Sequence, residues 1–366
     1  MRALTMLLFW AYSFTFCMWA QSPPLSDTRI DTLLHTKEIE EITYRSNQFE
    51  IVGNLFIPHK GAPPFPLVIW VSGSGPSFRK VKNKETIKLI NCFLDNGIAY
   101  YRNDKPGSGD SKGKLSDDSV FAQLSDIAID AVNKLKGDSR IKKDEIGIFG
   151  SSQAGYIMPL AITKCSDIAF MIGSSCPGEN SIDQWNYLLG SQMICEGSTE
   201  QQAKKSVEMF SLLRNTDNKS KFDSAIEYFV RIPLSVSSLG YDSLFSQRAR
   251  TWWPRTIDLK DEAHLNPVNL FEQIHIPIFL VYGAHDKQID PLQAIDAYTQ
   301  ALQKAGDHYF KIVFLQDSDH NMSLSTGCLR EIGLLTKNER YTLDPEYLRT
   351  ITRWAEDLNL YVTSKR

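Results

Sequence analysis

The sequence predicts an α/β fold: a mostly parallel eight-stranded sheet with helices on both faces and an inserted helical cap. Three observations carry this reading. Short apolar runs alternate with amphipathic segments over residues 38–179 and again over 266–366, the rhythm of strands and crossover helices. The run Leu67-Val68-Ile69-Trp70-Val71 is apolar without interruption, as in a strand buried on both faces. Residues 180–265 break the rhythm, and a stretch of that length is too long for a connection, so it reads as the cap.

Taken in order, residues 38–58 alternate in hydropathy around a break at Ser46-Asn47 and predict a hairpin. The buried run 67–71 follows, then a Gly-rich turn, Ser72-Gly73-Ser74-Gly75-Pro76. Ile87, Ile90, Phe93 and Leu94 fall at helical spacing over 83–95, and Asn96-Gly97 ends that helix. Residues 98–102 predict a strand, 118–136 an amphipathic helix, 145–149 a strand and 168–172 another. The cap is helical and rich in aromatics, among them Trp185, Phe210, Tyr228, Phe229, Phe245, Trp252 and Trp253. Beyond it come a strand at 278–282, a helix at 291–304, a strand at 309–315 and a final helix. That helix opens on Asp344-Pro345, a cap residue followed by a first-turn proline, and runs to about residue 358.

The chain has 366 residues, is 42% hydrophobic and 23% charged, and carries a formal net charge of −3. No basic surplus points to nucleic acid. Residues 1–20 have the layout of a secretory signal peptide: Arg2, an uncharged apolar run from Leu4 to Ala20, then the polar, rigid Gln21-Ser22-Pro23-Pro24. Residues 21–37 form a lead-in to the core. Cleavage after Ala20 would release a protein with no stable membrane insertion into the periplasm or the extracellular space. An uncleaved anchor is the alternative, because the run approaches spanning length. Phe16 before Cys17 speaks against a lipoprotein signal, which needs a small residue there. Cys92, Cys165, Cys176, Cys195 and Cys328 are scattered and odd in number, so they read as small apolar residues rather than a disulfide framework. The spacing offers no metal motif and implies no cofactor.

Chemistry enters at Gly150-Ser151-Ser152-Gln153-Ala154-Gly155, directly after a predicted strand and before a helix. That is the nucleophile elbow of the α/β-hydrolase fold, G-x-S-x-G with alanine for the last glycine, and its spacing selects Ser152 over Ser151. A serine hydroxyl needs a base to become nucleophilic, and this fold supplies acid and then histidine later in the chain. Of the seven histidines only His320 lies in a loop shortly after the last strand. Asp286, in Tyr282-Gly283-Ala284-His285-Asp286, has the offset of the acid. Asp290 precedes Pro291 and reads as a helix cap. Asp319 reads as solvated or bound to local backbone. The oxyanion hole would use the amide of Gln153, next after the nucleophile, and that of Ser74 in the Gly-rich turn, since Pro76 has no N–H. Neither Gly73-Ser74-Gly75 nor Gly107-Ser108-Gly109 continues as a nucleotide-binding glycine motif.

These residues, with Arg79, the loop from Asp104 to Ser111, and Asn266-Pro267-Val268 leading to Pro277, resemble bacterial carboxylesterases of the α/β-hydrolase superfamily, in the group described as serine aminopeptidase-like or EstD-like hydrolases. The resemblance covers about residues 39–358. Ser72, Phe78 and Ala154 depart from the residues common in that group. Ser152 itself stands where thioesterase relatives tend to carry cysteine. The resemblance implies a small-molecule ester substrate, cleaved through an acyl-enzyme on Ser152. A peptidase acting on short peptides is the alternative within the same chemistry; a non-hydrolytic binding protein is the alternative outside it. The carboxylates of the cap, including Glu196, Glu208 and Glu262, lie near lysines and arginines and read as solvated helix faces.

Overall fold

The computed structural model describes residues 33–116, 119–216, 218–231, 262, 264–306, 309–325, 327–328 and 342–364. The expected leader and the cap residues Phe245, Trp252 and Trp253 lie outside them.

Eight strands form one sheet: β1 (Thr36–Ser46), β2 (Phe49–Pro58), β3 (Phe65–Val71), β4 (Ala99–Asn103), β5 (Ile141–Ser151), β6 (Ile168–Ser174), β7 (Ile278–Gly283) and β8 (Phe310–Leu315). Their order is β1-β2-β4-β3-β5-β6-β7-β8. The sheet is mixed. From β4 to β8 every neighbouring pair is parallel, but β1 pairs antiparallel with β2, and β2 antiparallel with β4. The antiparallel β1–β2 pairing follows from the tight turn at Asn47-Gln48, where Asn47 has a φ of 48°. A two-residue hairpin reverses the chain, whereas a parallel neighbour requires a crossover. β5 starts earlier than the apolar run at 145–149 suggests. Its polar opening, Lys142-Lys143-Asp144, extends past a register shift so that Ile141 reaches Phe65 on β3.

Helices α1 (Lys84–Leu94), α2 (Val120–Leu135), α3 (Ala154–Lys164), α7 (Pro291–Lys304) and α8 (Pro345–Ser364) cover the sheet. Residues of α1 and α8 pack with Phe56, Val68, Tyr100 and Phe149 on one face. Residues of α2, α3 and α7 pack with Leu55, Ile69, Ile148 and Leu280 on the other. Alternation along each strand sorts the side chains to the two faces. Three further helices, α4 (Ser181–Cys195), α5 (Glu200–Asn215) and α6 (Lys219–Arg231), occupy the described part of the inserted stretch. Phe210 and Phe229 lie buried in a separate apolar cluster among them, with Trp185 and Tyr228 packed against it. These aromatics are the interior of the cap.

Glu262 departs from the expected solvated role. Its carboxylate accepts the amides of Phe121 (3.0 Å) and Ala122 (2.8 Å), so it satisfies first-turn donors of α2, where Ser119 makes no side-chain cap. A residue 140 positions away in sequence does a job usually done by the residue before the helix.

The loop after β3 is fastened by Arg79. Its own amide donates to Asp104 Oδ1 (2.6 Å), and its guanidinium reaches Asp104 (3.3 Å), Asn54 (2.6 Å), Asp110 (2.6 Å) and Glu41 (2.7 Å). Arg79 and Asp104 are buried, whereas Glu41 and Asp110 are more than half exposed. The exposed pairs contribute little, because solvent screens them. Removing the cation from the buried pair strands a carboxylate and costs about 3–5 kcal/mol. Arg79→Met is therefore expected to lower the urea-unfolding free energy by about 3–5 kcal/mol, while Asp110→Asn changes it little. Equal effects would show that the buried contact with Asp104 does not dominate.

Candidate functional site

β5 ends at Ser151 and α3 begins at Ala154, so the chain reverses over two residues. Ser152 sits in that reversal with φ +56°, a left-handed conformation that side-chain-bearing residues seldom adopt. Its amide donates to the carbonyl of Ser174 on β6 (3.0 Å), which holds the turn in place. Glycines give the turn room. A methyl on Gly150 would stand 2.5 Å from Ala154 Cβ and 2.6 Å from the Val71 carbonyl. This is why alanine is tolerated at 154: the close approach is relieved at 150 instead. A methyl on Gly73 would stand 2.9 Å from the Ser151 carbonyl and 3.5 Å from Ser152 Cβ, so the loop after β3 lies directly against Ser152.

His320 and Asp286 come together from separate loops. His320 Nδ1–H donates to Asp286 Oδ2 at 2.8 Å, with both side chains buried. The other carboxylate oxygen of Asp286 accepts the amides of Gln288 (2.8 Å) and Ile289 (2.9 Å), which fixes its plane. The His320 loop is itself closed by short bonds. Asp319 accepts the amides of Asn321 (2.9 Å) and Ser323 (3.1 Å), and the Asp319 amide donates to the Ser323 carbonyl (3.0 Å). Asp290 accepts the amides of Leu292 and Gln293, both at 3.1 Å, and caps α7. Gln153 stands at the head of α3, and Ser74 is exposed in the loop that touches Ser152.

Two features were not legible in the sequence. The first is Lys105. Its ammonium is buried and donates to the carbonyls of Gly73 and of Gly75 (3.1 Å). Burial pulls it down to about 8. It grips the Gly-rich loop from behind, with its carbonyls turned toward the lysine. The only hint in the sequence is a lysine inside the Asp104–Ser111 loop.

The second is the role of α4. Tyr187 donates its hydroxyl to the Asp286 carbonyl (3.1 Å), Ser191 to that of Lys287 (2.5 Å), and the Gln184 amide to that of Gln288 (2.7 Å). Three side chains one helical turn apart thus hold the acid loop from the cap. At its end Cys195 forms a disulfide with Cys328, next to Gly327, whose amide donates to His285 Nδ1 (3.0 Å). The reading of all five cysteines as core residues is corrected here: Cys92, Cys165 and Cys176 are buried thiols, but Cys195 and Cys328 are joined. Spacing could not reveal this, because the partners are 133 residues apart and no regular pattern marks them.

A profile of the X-Pro dipeptidyl-peptidase (S15) family matches residues 49–321, a range that holds Ser152, Asp286 and His320. No curated protein matches the chain. Among solved structures, an esterase of Pyrococcus furiosus superposes with a TM-score of 0.52 at 12% identity, over 93% of this chain and 97% of that one. An acylaminoacyl peptidase of Pyrococcus horikoshii gives 0.51 at 14% identity, over 90% of this chain and 42% of that one. A Bacteroides ovatus protein described as a dipeptidyl aminopeptidase IV gives 0.51 at 12%, over 87% and 36%. This chain therefore spans well under half the length of the two peptidases. Likeness at these identities shows the α/β-hydrolase fold.

The disulfide closes a 133-residue separation, for which chain entropy gives a stabilisation of up to ~5 kcal/mol. Cys195→Ser is expected to lower the urea midpoint of the oxidised protein and to abolish the effect of added reductant on it. An unchanged midpoint would mean that the crosslink adds nothing to the packing of α4.

Proposed function

We propose, for a chain that belongs to the X-Pro dipeptidyl-peptidase (S15) family, that it is a serine hydrolase of carboxylic esters acting through Ser152, His320 and Asp286. The observation that carries the reading is the left-handed Ser152 at the head of α3, in a fold that also delivers a buried, hydrogen-bonded His320–Asp286 pair. Strain of this kind costs about 1–3 kcal/mol and persists where the conformation serves a function.

In the first half-reaction Ser152 Oγ attacks the ester carbonyl carbon while His320 Nε2 takes the hydroxyl proton. Asp286 holds the ring by Nδ1 and stabilises the imidazolium. The carbonyl oxygen becomes an oxyanion that the amides of Gln153 and Ser74 would receive, the former aided by the positive end of α3. His320 then gives the proton to the departing alkoxide, the C–O bond breaks, and the acyl group stays on Ser152. In the second half-reaction water attacks, His320 again takes and returns the proton, and the carboxylic acid leaves. Lys105 would act by fixing the loop that carries Ser74.

Export to an oxidising compartment, periplasmic or extracellular, is part of the same proposal. The Cys195–Cys328 disulfide supports it, as does the apolar run Leu4 to Ala20.

A second reading, cleavage of short peptides, is favoured by the family match and by Glu179. Burial first, then Asp183 and Asp290, push the Glu179 carboxyl up to about 7. A bound ammonium would relieve that crowding. The two readings separate in kcat/KM for p-nitrophenyl butyrate against Ala-Pro p-nitroanilide. The ester is expected to be the better substrate; a higher value for the anilide would transfer the assignment to peptides. Ser152→Ala is expected to lower kcat by about four to six orders of magnitude, and Asp286→Asn by about four. Ser151→Ala and Asp290→Asn should each cost less than tenfold. If Asp290→Asn were the more damaging of the aspartate changes, Asp290 would take the role of the acid.

A further inference from the structure

We propose that Arg102 is the anion-binding end of the acyl pocket, and that the preferred substrates carry a carboxylate at the far end of the acyl chain. The proposal rests on Ser152 as the nucleophile and names the substrate class that follows.

A cleft lies between the loop after β3, the start of α1, and β4. Gly73 and Ser74 line it at one end, Trp70 and Tyr100 form apolar wall, and Arg102 lies on the β4 side. The Gly73 end adjoins the nucleophile, since a methyl there would stand 3.5 Å from Ser152 Cβ. The cleft thus runs from the loop that lies against Ser152 to a guanidinium.

Arg102 is partly buried, and its Nε is shielded from water with no hydrogen-bond partner among the described residues. The nearby acceptors are already used. Asp104 binds Arg79 and the Asp110 amide (2.8 Å). Asn54, which faces Arg102 across the β2–β4 pairing, accepts from Arg79. Burial pulls the Arg102 guanidinium below its ordinary value. The two arginines therefore differ in kind. Arg79 is surrounded by acceptors and holds the loop. Arg102 is a desolvated cation whose neighbouring carboxylate, Asp104, is hydrogen-bonded to the Arg79 and Asp110 amides, and whose Nε is left without a hydrogen bond, a costly state that a ligand would relieve. A planar guanidinium suits a carboxylate, which it can bind through two parallel hydrogen bonds. At the rim, Lys82 lies 5.9 Å from the Phe78 ring centre and Lys80 is 4.0 Å from Asp110; both add positive potential at the entrance.

Topology decides which half of the ester points this way. His320 follows β8 and Asp286 follows β7, on one side of the nucleophile strand β5; β3 and β4 lie on the other. The leaving group must face His320, which protonates it. The acyl chain then extends toward β3 and β4. Two strand spacings are about 10 Å. An extended chain of about six bonds covers ~7 Å at ~1.2 Å per bond, and a charge-assisted hydrogen bond of ~2.8 Å covers the rest. Mono-esters of a six-carbon dicarboxylic acid have that length.

The test compares mono-p-nitrophenyl adipate with p-nitrophenyl hexanoate, which differ in the terminal carboxylate. The oxidised wild-type protein is expected to favour the adipate. Arg102→Gln should reduce the adipate-to-hexanoate ratio of kcat/KM by about tenfold or more, and Arg102→Lys should retain part of it. A wild-type preference for hexanoate, or equal losses on both esters in Arg102→Gln, would overturn the proposal. Calorimetry with monomethyl adipate on Ser152→Ala protein reads the pocket without turnover. Binding that disappears on adding Arg102→Gln supports the anion site even if neither ester is hydrolysed, a result that would instead defeat the hydrolase reading. No binding at millimolar ligand would overturn the anion site.

Discussion

Ser152 can hold a φ of +56° because three close approaches around it are made by residues with no side chain or the smallest one. Gly150 lets α3 fold back on β5, Ala154 fills the space so released, and Gly73 allows the loop after β3 to lie against the turn. Much else depends on this constraint. The parallel run β3-β5-β6 brings the ends of three strands to one edge, and the Ser152–Ser174 backbone bond ties the turn to β6. Lys105 and Arg79 then hold the loop after β3 from opposite needs: one satisfies its carbonyls, the other its neighbouring carboxylates. On the proposed reading, the nucleophilic serine is presented by packing and backbone bonding.

The proposed base arrives by a different route. His320 and Asp286 lie on short loops whose local bonds fix their shape but not their distance from the sheet. That distance is set from outside, by α4. Its Gln184, Tyr187 and Ser191 grip three successive carbonyls of the acid loop, and its last residue is crosslinked to Cys328 beyond the histidine. The first of the inserted helices is part of the frame that positions the acid, and the apolar cluster among α4, α5 and α6 makes that helix rigid.

The sequence made the sheet legible because buried strands and amphipathic helices differ in period, and β3 and β7 are apolar throughout. The elbow was legible because small residues must surround a sharp turn. What local pattern could not carry was whatever depends on distant partners. The polar start of β5 is a strand only because Phe65 is beside it. Glu262 caps α2 from far along the chain, and Cys195 meets Cys328 across 133 residues. Lys105 looked like one more charge in a Gly-rich loop, although its ammonium points inward to backbone carbonyls. Arg79 is one more arginine in the sequence, and only the placement of Asp104 and Asn54 shows that it fastens the loop.

On the proposed reading, the strained turn presents Ser152 as the nucleophile. Treatment of the folded, oxidised protein with a fluorophosphonate, followed by fragmentation mass spectrometry of the segment Ile148–Tyr156, tests it most directly. The account predicts a single covalent adduct on Ser152, formed by the folded protein and lost on denaturation before labelling. An adduct on Ser151, or no adduct in a protein whose fold is intact, would contradict it.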